Sequence, residues 1–174
     1  MRHFVEELDQ LKSKLLEMGS LVETAIERSI AAVTTKNRDV ANTVFTNEAR
    51  INQIELEIDD FAINLLALHQ PMAADLRLII AALKINTDLE RVGDLAVNIA
   101  DAALRYASHP PVKRLIDIPL MGEIAQAMLR DALDAFVTGD VALAQRVLQA
   151  DDRLDGLRTQ VFRELLTYML ANPA

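Results

Sequence analysis

Ile85-Asn-Thr-Asp-Leu-Glu-Arg-Val-Gly-Asp-Leu-Ala-Val-Asn-Ile-Ala100 carries Asn86, Glu90, Asp94 and Asn98 at four-residue intervals. On a helix that spacing places two carboxylates and two amides on one side. Upstream, Leu76, Ile80 and Leu83 follow four- and three-residue steps, and the same count continues through Thr87, Glu90, Asp94, Val97 and Asp101. The expected core seam of this helix therefore turns acidic. Like-charged neighbours one turn apart repel by roughly 0.2–0.5 kcal/mol when solvated, and burial raises the cost unless a cation or a proton compensates. A metal ion is the direct compensation.

Outward from this run the chain reads as helices throughout. Phe4, Leu8, Leu11, Leu15, Met18, Val22 and Ala25 keep four-three spacing, and Ile26, Ile30 and Val33 extend it, so a helix is expected over about 3–36. Lys36-Asn-Arg-Asp39 is a polar turn. Val40, Val44, Ile51, Ile54, Ile58, Phe61, Leu65 and Leu68 then mark a second helix ending near His69. Pro71 cannot continue that helix but suits the first turn of a third, carried from Leu76 to Leu104. Three apolar stripes with short connections make an antiparallel three-helix bundle over 1–107.

The remainder repeats the beginning. A shift of 103 residues sets Met18-Gly19 on Met121-Gly122, Ile26 on Leu129, Ile30 on Leu133 and Val33 on Phe136. It continues with Val40 on Leu143, Ala41 on Ala144, Val44 on Val147, Arg50 on Arg153, Ile51 on Leu154 and Ile54 on Leu157. The expectation is an all-α protein of tandem three-helix repeats, with a connection at 108–120 and a second repeat of two helices over 121–174. That second repeat stops at Pro173-Ala174, where its own third helix is expected to begin. A two-helix unit leaves an apolar groove for the first bundle, another chain or further residues to fill.

Composition narrows the chemistry. The 174 residues are 51% hydrophobic and 4% aromatic with five Gly and five Pro, a balance suited to long helices. Twenty-six acidic against 18 basic residues give a net charge of −8, which argues against nucleic acid or anionic lipid as a partner. Lys113 and Arg114 in the connection form too small a basic patch to change this. No cysteine is present, so disulfides, thiolate metal sites and cysteine nucleophiles are excluded. No run of 18 apolar residues and no signal-peptide pattern occurs, so a cytoplasmic location is expected.

Carboxylate and amide oxygens suit hard cations such as Mg, Mn, Fe or Ca better than zinc. Glu90 and Asp94 head the ligand candidates, with Asn98 and Asp101 on the same helix, and Glu55 or Asp59 on the second helix as groups that could complete a shell. The plainer alternative is a solvated face, or a network with Arg91. Gly93 lies between the two acids, and an interior glycine costs a helix about 1 kcal/mol relative to alanine, so close approach of another helix, or else access for a metal or a partner, is expected there. His3, His69 and His109 are scattered and form no Glu-x-x-His pair, which disfavours a ferritin-like redox centre, and no phosphate loop or nucleophile elbow occurs.

Asn86-Thr-Asp-Leu-Glu-Arg-Val-Gly-Asp-Leu-Ala-Val-Asn98 resembles the signature of the PhoU family, regulators of phosphate uptake, in which a Glu/Asp-x-x-x-Asp motif lies on the third helix of each of two three-helix repeats. His69-Gln-Pro-Met-Ala-Ala-Asp-Leu-Arg77 and Tyr168-Met-Leu-Ala-Asn-Pro173 are similar to that family's turns between second and third helices. The resemblance implies that Glu90 and Asp94 ligate a metal, iron first, with Mg, Mn or Zn as other choices, and that Asn98 and Asp101 are weaker additions. It also implies no enzyme activity and an adaptor role; a homodimer is expected separately, as one way to cover the apolar groove of the second repeat. The implied partners are the membrane sensor kinase of the phosphate regulon and the phosphate-transporter ATPase. The residues alone leave open a carboxylate-bridged metalloenzyme and a purely structural oligomerising bundle.

Overall fold

The computed structural model describes residues 2–110 and 115–171. Five helices follow one another: α1 (Arg2–Thr35), α2 (Arg38–His69), α3 (Ala73–Ala107), α4 (Asp117–Thr138) and α5 (Val141–Ala171). Among the described residues, α1, α2 and α3 pack pairwise into the expected bundle, α4 lies against α1, and α5 touches α4 alone. The fold is all-α, and α4 begins inside the stretch 108–120 expected to be connection. Lys113, Arg114 and the Pro173-Ala174 end fall outside the described residues.

The stripe read on α1 is the buried one. Leu8, Leu11, Leu15, Met18, Val22 and Ala25 all lie in the core, facing Val44, Ile51, Ile54, Ile58 and Leu65 of α2. Burying a side chain of this size contributes about 1.5–3 kcal/mol, so this seam dominates the bundle's cohesion.

The seam read on α3 is displaced by one residue. Leu76 and Ile80 are 39% and 40% exposed, and the buried face is Ile79, Ala82, Asn86, Leu89, Gly93, Ala96, Ala100 and Ala103. The large-residue count misleads because α3 meets its neighbours through small residues, which let helix axes approach closely. Gly93 shows this directly: a Cβ there would stand 3.2 Å from Ile51 Cδ1 of α2. Glu90 and Asp94 consequently border the core instead of interrupting it.

The internal repeat is reproduced in three dimensions. Across the α1–α4 contact, a Cβ at Gly19 would collide with Leu133 Cδ1, and one at Gly122 would stand 3.0 Å from Ile30 Cγ1. The 103-residue shift that maps Gly19 on Gly122 also maps Ile30 on Leu133, so the two contacts are the same contact seen from opposite sides. The turns agree as well. Lys36 and Gly139 are both left-handed, with φ of 54° and 72°. Asn37 Oδ1 accepts from the Asp39 and Val40 amides at 2.9 and 3.3 Å, and Asp140 Oδ1 accepts from the Leu143 amide at 2.9 Å. The two repeats are thus related by a local pseudo-twofold, clasped by Arg130 of α4 on Glu23 of α1.

Burial differs sharply between them. No residue of α5 is fully buried, and Leu148, Phe162 and Leu170 are exposed. Gly156, midway along α5, has nothing within 4 Å of where a Cβ would stand. Gly156→Ala is therefore expected to raise stability by about 0.5–1 kcal/mol in urea unfolding, since it removes only glycine's backbone entropy cost. A loss of stability would show that this helix face is occupied in solution.

Candidate metal centre

The acidic corner forms where α2 and α3 run side by side. Glu55 and Asp59 project from α2, Glu90 and Asp94 from α3, each pair four residues apart and so one helical turn. Glu55, Asp59 and Glu90 are partly buried and Asp94 is exposed. The four carboxylates are electrostatically coupled. Burial, then repulsion from Asp59 and Asp94, raises the Glu55 carboxyl above the ordinary glutamate value. Burial, followed by Asp94 and Glu55, does the same to Glu90, with Arg91 opposing only weakly.

Arg91 is not the missing counter-charge, because its guanidinium is directed to Asp88 on its own helix at 3.3 Å. The corner is therefore a concentration of negative charge with no cationic side chain paired to it among the described residues.

Asn86 closes the corner from behind. It is fully buried on the core face of α3, and its Nδ2 donates to the Glu55 carbonyl and to Asp59 Oδ1, both at 2.9 Å. Its Oδ1 is buried and has no hydrogen-bond partner among the described residues.

The residues singled out in sequence thus separate. Glu90 and Asp94 share the corner with Glu55 and Asp59, which the sequence offered only as completing candidates. Asn98 is exposed on α3 one turn further on. Asp101 is also exposed and is bound by Arg105 at 2.5 Å, so its carboxylate already has a counter-charge and does not join the corner. Among the described residues, no three His, Cys, Asp or Glu side chains already stand in ligating positions. The donor set nonetheless suits a hard cation: four carboxylates at a helix–helix edge, mutually repelling, with side chains exposed enough to turn toward an ion.

One long-range contact lay beyond the sequence reading. His69 ends α2, and its Nε2 stands 2.7 Å from Glu7 Oε2 of α1, while Phe4 packs on the imidazole with ring centroids 4.6 Å apart. Nothing in the local sequence couples positions so distant; the contact follows from antiparallel packing.

Known proteins match this architecture over nearly its whole length. The PhoU domain family model matches residues 15–103 and 118–174. A protein of Aquifex aeolicus named phosphate-specific transport system accessory protein PhoU homolog is 39% identical over 168 residues, covering 97% of this chain and 76% of that protein. One of Caulobacter vibrioides with the same name is 38% identical over 174 residues, covering 99% and 76%. Among solved structures, PhoU from Pseudomonas aeruginosa superposes with a TM-score of 0.92 at 37% identity, over 98% of this chain and 82% of that one. The phosphate transport system regulatory protein PhoU from Streptococcus pneumoniae gives 0.89 at 28% identity, over 97% and 80%. With both repeats matched in sequence and fold, the chain belongs to the PhoU family.

Proposed function

We propose that this protein is a non-enzymatic, metal-binding regulator of phosphate uptake, acting as a cytoplasmic adaptor between the phosphate-transporter ATPase and the sensor kinase of phosphate-starvation signalling. The observation that carries the regulatory reading is the match of nearly the entire chain to proteins named as accessory proteins of phosphate-specific transport. The acidic corner supports the metal. Glu55, Asp59, Glu90 and Asp94 would hold it, and the ion would neutralise the repulsion that raises Glu55 and Glu90. Iron is the first choice, with Mg or Mn equally served by carboxylate oxygens. Bound there, the ion would tie α2 to α3.

No helix among the described residues is long and apolar enough to cross a membrane, so contact with a membrane kinase would be through that partner's cytoplasmic parts. Self-association as a homodimer is part of the proposal, in line with the apolar side chains that α5 leaves exposed. Affinity capture with the purified chain as bait is expected to retain the cognate transporter ATPase and the sensor kinase. Failure to retain either, with folded protein, removes the adaptor role.

A further inference from the structure

A fully buried asparagine with an unsatisfied acceptor is a costly core residue. Leaving one buried polar atom without a partner is destabilising, and a leucine on this face of α3 would avoid that penalty. Asn86 is the single polar residue on the buried face of α3. What it gains is specific: one amide group grips both the backbone of Glu55 and the carboxylate of Asp59. A hydrogen bond between a fixed donor and one carboxylate oxygen restricts the rotation of that carboxylate and leaves its other oxygen free to ligate.

We propose that Asn86 is the positioning residue of the metal centre, locking Asp59 and the Glu55 turn of α2 into register with Glu90 and Asp94 on α3. This rests on the metal reading given above. Asn86 is not itself a ligand, since its Oδ1 is buried and an ion would have to enter the core to reach it. Its action crosses the helix pair: a side chain of α3 orders one carboxylate of α2, that of Asp59, and holds the backbone turn that carries Glu55. Without it, the α2 half of the donor set would have to be ordered by the ion alone, at the expense of affinity.

The test uses the full chain with Asn86→Leu, Asp59→Asn and the double variant, each titrated with Fe(II) and with Mn(II) against a chromophoric chelator. Asn86→Leu keeps the branching at Cγ and removes the orphan acceptor, a gain offset by its bulkier methyl groups, so it is expected to unfold in urea at about the same denaturant concentration as wild type. Its metal affinity is nevertheless expected to fall about 10–100-fold, the usual effect of removing an outer-shell partner. In the Asp59→Asn background the same change is expected to lower affinity by clearly less than it does alone, because the carboxylate it orders is gone and only its hold on the Glu55 carbonyl remains. Asn86→Leu binding metal as tightly as wild type, or a full additional loss on top of Asp59→Asn, overturns the proposal. If Asn86→Leu does not fold, Asn86→Ala, which also removes the amide donor, is measured in its place against the same affinity criteria. Wild-type protein that binds neither ion removes the metal centre itself and this inference with it. The two failures are distinguishable, because in the first case wild type and Asn86→Leu bind alike and in the second neither binds.

Discussion

Asp94→Asn is expected to lower metal affinity by more than about 100-fold, beyond the 10–100-fold typical of groups that only support a ligand. The same change is expected to stabilise the metal-free protein at neutral pH. Asp94 is the largest charged contributor to the raised Glu90 carboxyl and also raises Glu55, so removing its charge relieves both. The size of that relief follows from like-charge pairs one turn apart, about 0.2–0.5 kcal/mol.

Its sign with pH is fixed by linkage. A carboxyl whose folded value is raised binds its proton more tightly in the folded state, so protonation adds stability. That contribution is full below the ordinary glutamate value and is lost as pH rises through the raised folded values of Glu55 and Glu90. Metal-free wild type should therefore gain stability over this window on acidification, and the gain should be smaller in Asp94→Asn. The difference between the two urea-midpoint profiles isolates the corner from other groups, including Glu57, which Lys14 and Arg50 shift the opposite way. Identical profiles for both proteins would show that the corner carries no charge strain.

The second large effect is a loss of stability. Ile54→Ala is expected to cost about 2–5 kcal/mol, read as a lowered urea midpoint with an unchanged slope. Ile54 is completely buried between α1 and α3, so truncation leaves a cavity that three packed helices cannot close. Leu157→Ala makes the informative comparison. The internal repeat places Leu157 on Ile54, yet Leu157 is only partly buried on α5, which packs against α4 alone. No enclosed cavity forms there, and a cost of less than about 1.5 kcal/mol is expected. Equal costs at the two positions would mean that α5 is enclosed in solution.

That pair of positions also separates what was legible in the sequence from what was not. The four-three stripe of α1 was readable because large side chains occupy every turn of it, from Leu8 through Val22. The first turn was readable too, as the polar run Lys36-Asn-Arg-Asp39, whereas the capping by Asn37 and Asp140 side-chain oxygens shows only in the structure. On α3 the same count of large residues pointed one position away from the core. Alanine and glycine carry little apolar weight in a sequence, yet they decide where helices can touch, as Gly93 under Ile51 demonstrates.

The acidic corner divides in the same way. Four-residue spacing put Glu90 and Asp94 together without reference to any other helix, since neighbours on a helix are set by its pitch. It equally admitted Asn98 and Asp101, and only tertiary packing separates these: α2 brings Glu55 and Asp59 to the first two, and Arg105 takes Asp101. Asn86 reverses most completely, from one more polar residue on a stripe to the buried link between the helices.

The sequence by itself determined the helices, their order, the repeat and the family, because periodicity and short turns are local properties that each segment carries alone. The tertiary structure decided which face of α3 is core, which acids converge and how unequally the two repeats are buried. Those are properties of distances between helices, set by the smallest side chains at each crossing, and no single helix contains them.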